Sequence, residues 1–94
     1  MKNKYDLNNE IEVVKMGLYN PEVEYAIGID FDSHEANIFN IVGKASVVLR
    51  QVDKNAEDKI KEMRKRVTAA NGYVNAVNIV REYINVIHYP ICEQ

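Results

Sequence analysis

The sequence is poor in the side chains that perform covalent and redox chemistry. Its 94 residues hold one cysteine, Cys92, two histidines, two serines and no tryptophan. A lone cysteine forms neither an intrachain disulfide nor the paired thiolates of a zinc cluster, which favours a cytoplasmic protein over an exported one. So few cysteine, serine and histidine side chains also make nucleophilic catalysis an unpromising function.

Long apolar runs and a strong net charge are missing as well. No segment resembles a secretory signal or a membrane span, so we expect no membrane partner. The net charge is −2 and the isoelectric point is about 5.6, which makes nucleic acid a less favoured partner because proteins that bind it are usually basic. A core of this size leaves little room for a deep substrate cleft. We therefore expect one domain over residues 1–94, with no enzymatic activity and no cofactor.

The charges that are present are unevenly distributed. Residues 1–35 have a balance of −5, whereas residues 36–94 have a balance of +3. Separate acidic and basic faces favour electrostatic recognition of a partner or self-association into a homo-oligomer.

The first third of the chain predicts a β-hairpin. Residues 1–9 are polar and are expected to form a loose arm. Residues 10–19 fit either a strand or a helix, and we favour a strand because Pro21 then lies in a turn. The next segment is clearer, since its apolar residues alternate with polar ones. These are Val23, Tyr25, Ile27, Ile29 and Phe31. The pattern predicts an antiparallel hairpin over residues 10–31.

The rest of the chain predicts three helices within residues 33–88, followed by a tail over residues 89–94. Apolar residues recur at three-and-four spacing after a capping residue at Asp32 or Ser33, again after Asn55, and again after the Asn71–Gly72 break. The third helix is predicted to run from about 73 to 88. The expected fold is therefore α+β in the order β-β-α-α-α, with a two-stranded antiparallel hairpin packed on three helices.

Gly43 falls in the middle of the first predicted helix. Glycine there costs about 1 kcal/mol relative to alanine unless another backbone approaches closely. We interpret it as a notch for helix packing.

One short cluster could bind a metal ion. If the second strand continued, Asp30, Asp32 and His34 would share one face, and such ligands suit Mg²⁺ or Mn²⁺. We favour the simpler interpretation, an acidic strand edge that runs into a helix cap, and predict no metal site.

Two polar surfaces are candidates for partner or ligand binding. Residues 59–66 hold five bases and one acid, which could contact phosphates. Acids placed four residues before bases, at Glu57 and Glu62, favour self-pairing along the helix instead. Asparagines recur at helical spacing on the first and third helices, and amides suit a hydrated protein interface. The candidate binding residues are Asn37, Asn40, Lys44, Arg64, Arg66, Asn75, Asn78 and Arg81.

Residues 29–86 carry a sequence pattern that extends over the predicted second strand and the three predicted helices. The pattern is a strand, an Asn-aromatic helix start, a helix of the type I-x-G-x-x-S-x-x-L, a charged helix, and a Gly-Tyr step into a final helix ending in Asn-Val. The residues that form it are Ile29-Asp30, Asn37-Ile38-Phe39, Ile41-Val42-Gly43-Lys44-Ala45-Ser46, Leu49-Arg50, Glu62, Val67-Thr68, Gly72-Tyr73 and Ile84-Asn85-Val86. In this pattern the chain resembles a group of small, mostly uncharacterised phage and prophage proteins.

The resemblance implies a phage-encoded accessory protein that acts in the cytoplasm of a bacterial host. The leading hypothesis is an anti-defence inhibitor, similar in action to anti-CRISPR proteins, that binds and occludes a host protein. A second hypothesis is an oligomer that sequesters a small nucleotide signal, with Lys44, Arg64, Arg66 and Arg81 at subunit junctions. A third is a regulator that binds nucleic acid.

Overall fold

A computed structural model describes residues 13–15 and 20–89 of the chain. Two short strands and three helices make up most of this part, together with a 3-10 helix at His34–Ala36. The elements are β1 (Ala26–Ile29), α1 (Ile38–Val52), α2 (Ala56–Thr68), α3 (Tyr73–Arg81) and β2 (Asn85–His88). Their order is thus β-α-α-α-β rather than the predicted β-β-α-α-α.

The predicted antiparallel hairpin is wrong, because β1 pairs in parallel with β2. The register places Ala26 opposite Asn85 and Ile29 opposite His88. Parallel neighbours need a long crossover connection, and the three helices form it. Residues 13–15 are helical rather than extended. Residues 1–12, 16–19 and 90–94, which include the expected arm and most of the expected tail, lie outside the described residues.

The third helix is shorter than its sequence pattern predicts. It ends at Arg81, and residues 85–88 form β2 instead of a last helical turn. The Asn85 N–H donates to the Tyr25 carbonyl over 2.9 Å, and the Tyr89 N–H donates to the Ile29 carbonyl over 2.8 Å. These long-range bonds replace the bonds that a continued helix would make within the same segment.

The first two helices agree with the sequence pattern, but their caps differ in detail. Ser33 caps the 3-10 helix, where its hydroxyl accepts from the Glu35 N–H, and Asn37 caps α1 by accepting from the Phe39 N–H over 2.8 Å. Asn55 occupies the N-cap position of α2 without a side-chain bond. Gly72, which has a φ of 105°, turns the chain into α3.

The core lies between the helices and one face of the sheet. Ile27 and Ile29 of β1 are buried there with Val86 of β2, whereas Ala26 and Gly28 on the opposite face are exposed. The largest fully buried side chains are those of Ile29, Ile41, Met63, Ile84, Val14, Val77, Val80, Asn85 and Ser46. Because β1 and β2 are parallel, their carboxyl ends lie at the same end of the sheet.

Within the described residues, Gly43 is not the packing notch that its position suggests. A Cβ built on Gly43 meets no atom of the described chain within 4 Å. The helix interior therefore carries a glycine that packing within these residues does not require.

Candidate functional site

Asp30, Asp32 and His88 meet at the carboxyl ends of the two strands. One ligand atom from each lies within 4.8 Å of the others. The histidine is not the one that the sequence pattern suggested: His34 lies exposed in the 3-10 helix, because β1 ends at Ile29 and the strand alternation does not reach residue 34. Only the parallel pairing with β2, which no local pattern reveals, places His88 beside the aspartates.

Asp30, Asp32 and His88 already make contacts within the chain through atoms that could bind a metal ion. The Lys15 ammonium lies 3.0 Å from the Asp32 carboxylate, and the Asp32 N–H donates to Asp30 Oδ1 over 3.0 Å. His88 Nδ1 accepts from the Phe31 N–H over 3.3 Å, so the neutral ring carries its proton on Nε2. A divalent cation is suited to such ligands, but it would have to displace the lysine. The contacts present instead join residues 13–15, the end of β1 and the end of β2.

Two predicted binding residues of α1, Asn40 and Lys44, contact Glu35 next to this cluster. Glu35 accepts from the Asp30 N–H through one oxygen and binds Lys44 through the other, each over 2.9 Å. The hydrogen bond from Lys44 and that from the Asp30 N–H lower the pKa of Glu35. The Asn40 amide donates to the Glu35 carbonyl over 2.9 Å. These side chains fix the 3-10 helix against α1.

Arg81, a second predicted binding residue, is buried. Its Nε and one terminal nitrogen donate to the Val86 carbonyl over 3.2 and 2.9 Å, and that terminal nitrogen also donates to the Val14 carbonyl over 2.8 Å. The other terminal nitrogen donates to Asn78 over 3.4 Å. Burial lowers the pKa of the guanidinium. Through these bonds, Arg81 supports β2. Asn75, another predicted binding residue, donates a hydrogen bond to the nearby Asn71 carbonyl.

Two bases of the basic run of α2, Lys59 and Arg66, pair with acids outside that helix. Arg66 binds both carboxylate oxygens of Glu82, over 2.7 and 3.1 Å, and this pairing lowers the pKa of Glu82. Glu57 binds Arg50 over 2.8 Å instead of a base four residues later. Arg64 is exposed, and no acid among the described residues pairs with it.

A shallow groove between α1 and α2 is the surface that sequence reasoning missed. Its volume is about 400 Å³. The lining residues are Phe39, Val42, Arg64, Val67 and Thr68. The Phe39 side chain is 82% exposed. Phe39 lies off the buried stripe of α1 and is not polar, so neither the core periodicity nor the rows of polar residues indicated it. A large apolar residue outside the buried stripe was nevertheless a usable signal.

Gly43 and Val47 continue the same side of α1, since residues four apart share a helix face. Val47 is 53% exposed. We call Phe39, Gly43, Val47 and Arg64 the Phe39 face. Of the predicted binding residues, only Arg64 belongs to this face. Among Lys44, Arg64, Arg66 and Arg81, Arg64 is also the one base whose side chain has no hydrogen bond or ion pair within residues 13–15 and 20–89.

No protein-family model matches the chain, and neither a curated protein nor a solved structure matches it. Within the described residues, none of the helices combines the length and apolar character that crossing a membrane requires.

Proposed function

We propose that this chain is a non-catalytic binding protein that occludes a host protein through the Phe39 face. In the setting that the resemblance implies, it is a phage-encoded anti-defence inhibitor acting in the cytoplasm of a bacterial host. The observation that carries the proposal is the Phe39 ring, 82% exposed beside a groove. An aromatic side chain left this open in water gains most from burial against a partner.

The neighbours of Phe39 have the character of an interface centre. Aromatic and arginine side chains contribute most of the binding energy in many protein complexes, and Arg64 borders the same groove. Because Gly43 has no side chain and no other described residue packs on it, a partner backbone can approach α1 closely there. The Arg64 guanidinium, which no acid within residues 13–15 and 20–89 pairs with, favours an acidic rim on the partner.

The experiment compares the native chain with Phe39→Ser and Arg64→Glu during phage infection. Tagged protein is purified from infected cells and examined by native mass spectrometry, which reports bound partners and their stoichiometry. We expect a host protein in stoichiometric complex with the native chain and its loss from both variants. Tyr89→Ser serves as the control, because Tyr89 is also a mostly exposed aromatic residue but lies at the end of β2.

Two outcomes contradict the proposal. In the first, the native chain retains no host protein. In the second, a host protein is retained equally by the native chain and by Phe39→Ser. A complex that contains only further copies of this chain, and that dissociates on Phe39→Ser, would assign the Phe39 face to self-association instead.

A further inference from the structure

A second cavity lies away from the Phe39 face, at the opposite end of α1. Its volume is about 490 Å³, within the size range of small-molecule pockets. One wall is the segment 22–25 that leads into β1, and the other walls are the end of α1, the side of α2 and residues 82–83. We call it the acidic cleft.

Carboxylates dominate the rim of the acidic cleft. They belong to Glu22, Glu24, Asp53, Glu62 and Glu82. Asp53 is paired with Lys59 and Glu82 with Arg66. No cation among residues 13–15 and 20–89 pairs with the other three. The cleft therefore keeps an excess of negative charge, and the ammonium group of Lys59, paired with Asp53, is the cation among its lining residues.

The floor of the acidic cleft is apolar and aromatic. Leu49 and Val52 of α1 contribute aliphatic surface, and the rings of Tyr25 and Tyr83 line the cleft beside them. Tyr25 is 43% exposed. The Arg66 guanidinium lies 5.8 Å from the centre of the Tyr83 ring, so one of these rings already faces a cation.

Acidic rim and apolar floor together select one ligand chemistry. A hydrated metal ion gains nothing from aliphatic and aromatic surface, since Mg²⁺ keeps several of its waters. An aliphatic amine uses both, because its ammonium groups meet carboxylates while its methylene chain lies on apolar side chains.

We propose that the acidic cleft binds a linear aliphatic amine, supplied either as a free polyamine or as a lysine side chain of a partner. This inference is independent of the Phe39 face, because the two surfaces share no residue. Glu22 and Glu24 provide ammonium contacts on one wall and Glu62 on the other, and Val52 and Tyr25 hold the methylene chain between them.

The test is calorimetric titration of the full chain with spermidine at low salt, where screening is weak. We expect saturable binding that the double variant Glu22→Gln/Glu24→Gln weakens about fivefold or more. The matched control is Glu57→Gln/Asp58→Asn, which removes the same charge from exposed positions of α2 outside the cleft. Equal weakening by both double variants, or no saturable binding at all, overturns the proposal.

Two further titrations separate charge from chemistry and identify the source. Putrescine and Mg²⁺ carry the same charge, and putrescine should bind more tightly; equal binding of the two overturns the proposal because it leaves the apolar floor without a role. A short lysine-containing peptide is then compared with spermidine. Tighter binding of the peptide assigns the cleft to a partner lysine, tighter binding of spermidine assigns it to a free polyamine, and failure of both overturns the proposal.

Discussion

The two-stranded sheet and the Phe39 face use their side chains in opposite ways. Around the sheet, the side chains of Arg81, Asn85 and His88 each bind a main-chain group that is distant in sequence. On the Phe39 face, and considering only the part of the chain that the structure describes, Arg64 has no acidic partner and nothing packs on Gly43. The cluster of Asp30, Asp32 and His88 thus makes contacts that join separate segments of the fold, whereas the side chains of the Phe39 face make few such contacts among the described residues. Substitutions should therefore separate stability from binding.

The largest effect is expected from Asn85→Ala at the start of β2. The Asn85 side chain is 1% exposed and bonds to the Asn20 N–H, the Asn20 carbonyl and the Val23 carbonyl over 2.7, 3.1 and 3.0 Å. Its removal takes away these three bonds and leaves the Asn20 carbonyl only the Val23 N–H, so the free energy of unfolding should fall by about 2–4 kcal/mol. Urea denaturation measures the change. In the control variant Asn75→Ala, which alters an exposed helical residue, the change should stay below about 0.5 kcal/mol. Similar losses in both would contradict the contrast.

A smaller effect is expected from Tyr73→Phe, at the contact between α3 and the 3-10 helix. The Tyr73 hydroxyl donates to the Ala36 carbonyl, and loss of this bond should cost about 1 kcal/mol at neutral pH.

The same variant should change the response of stability to alkaline pH. Burial raises the pKa of Tyr73 to about 12 in the folded chain, whereas an unfolded tyrosine ionises near pH 10. The unfolded state therefore releases its proton first, and the contribution of Tyr73 is lost as the pH rises from about 10 to 12. Urea denaturation across that range should show a steeper loss for the native chain than for Tyr73→Phe. Parallel curves would contradict the assignment.

Gly43→Ala should act in the opposite direction. Since a Cβ at residue 43 meets nothing within 4 Å, the substitution should raise the free energy of unfolding by about 0.5–1 kcal/mol through helix propensity. Under the proposed function it should also weaken partner binding, because the added methyl group keeps the partner backbone away. Thermal unfolding and native mass spectrometry measure the two effects. A destabilised variant would indicate that part of the chain packs on Gly43.

The smallest change in stability is expected from Phe39→Ser. The ring is mostly exposed, so the free energy of unfolding should change by less than about 0.5 kcal/mol. Ile41→Ala, two residues away at a fully buried position, should cost about 2–5 kcal/mol. Urea denaturation of the two variants tests whether the Phe39 face is separate from the core. A large loss for Phe39→Ser would mean that the ring supports the fold.

The helices of the fold were accessible from the sequence, but the sheet was not. Repeating apolar residues were sufficient for α1 and α2, although α1 is capped by Asn37 rather than by the predicted Asp32 or Ser33 and Asn55 makes no side-chain capping bond. Residues 84–88 fit a helical stripe and a strand equally well, because Ile84 continues the spacing of Val77 and Val80 while the segment is also rich in β-branched residues. The hydrogen bonds of the Asn85 side chain to the 20–23 turn favour the strand over the helix. Such a contact across more than sixty residues has no local pattern.

The candidate binding residues were also predicted only in part, because contacts with other segments of the chain decide which of them are neutralised. Polarity and spacing selected Lys44, Arg66 and Arg81, yet their partners Glu35, Glu82 and Val86 lie on other elements or in the following strand. Because a charged side chain that is neutralised in the fold looks the same in sequence as one that is free, residue type alone could not single out Arg64. Phe39 was passed over because the helical pattern directed attention to the buried stripe.

The parallel register also determines the order in which the fold can be completed. Ala26 pairs with Asn85, so during synthesis β1 and all three helices leave the ribosome before the strand that pairs with β1. Until β2 arrives, Ile27 and Ile29 lack the neighbour that helps to bury them, and the edge of β1 is open to other chains. Closure of the sheet is a late, non-local step, and the nascent chain is most prone to aggregate just before it.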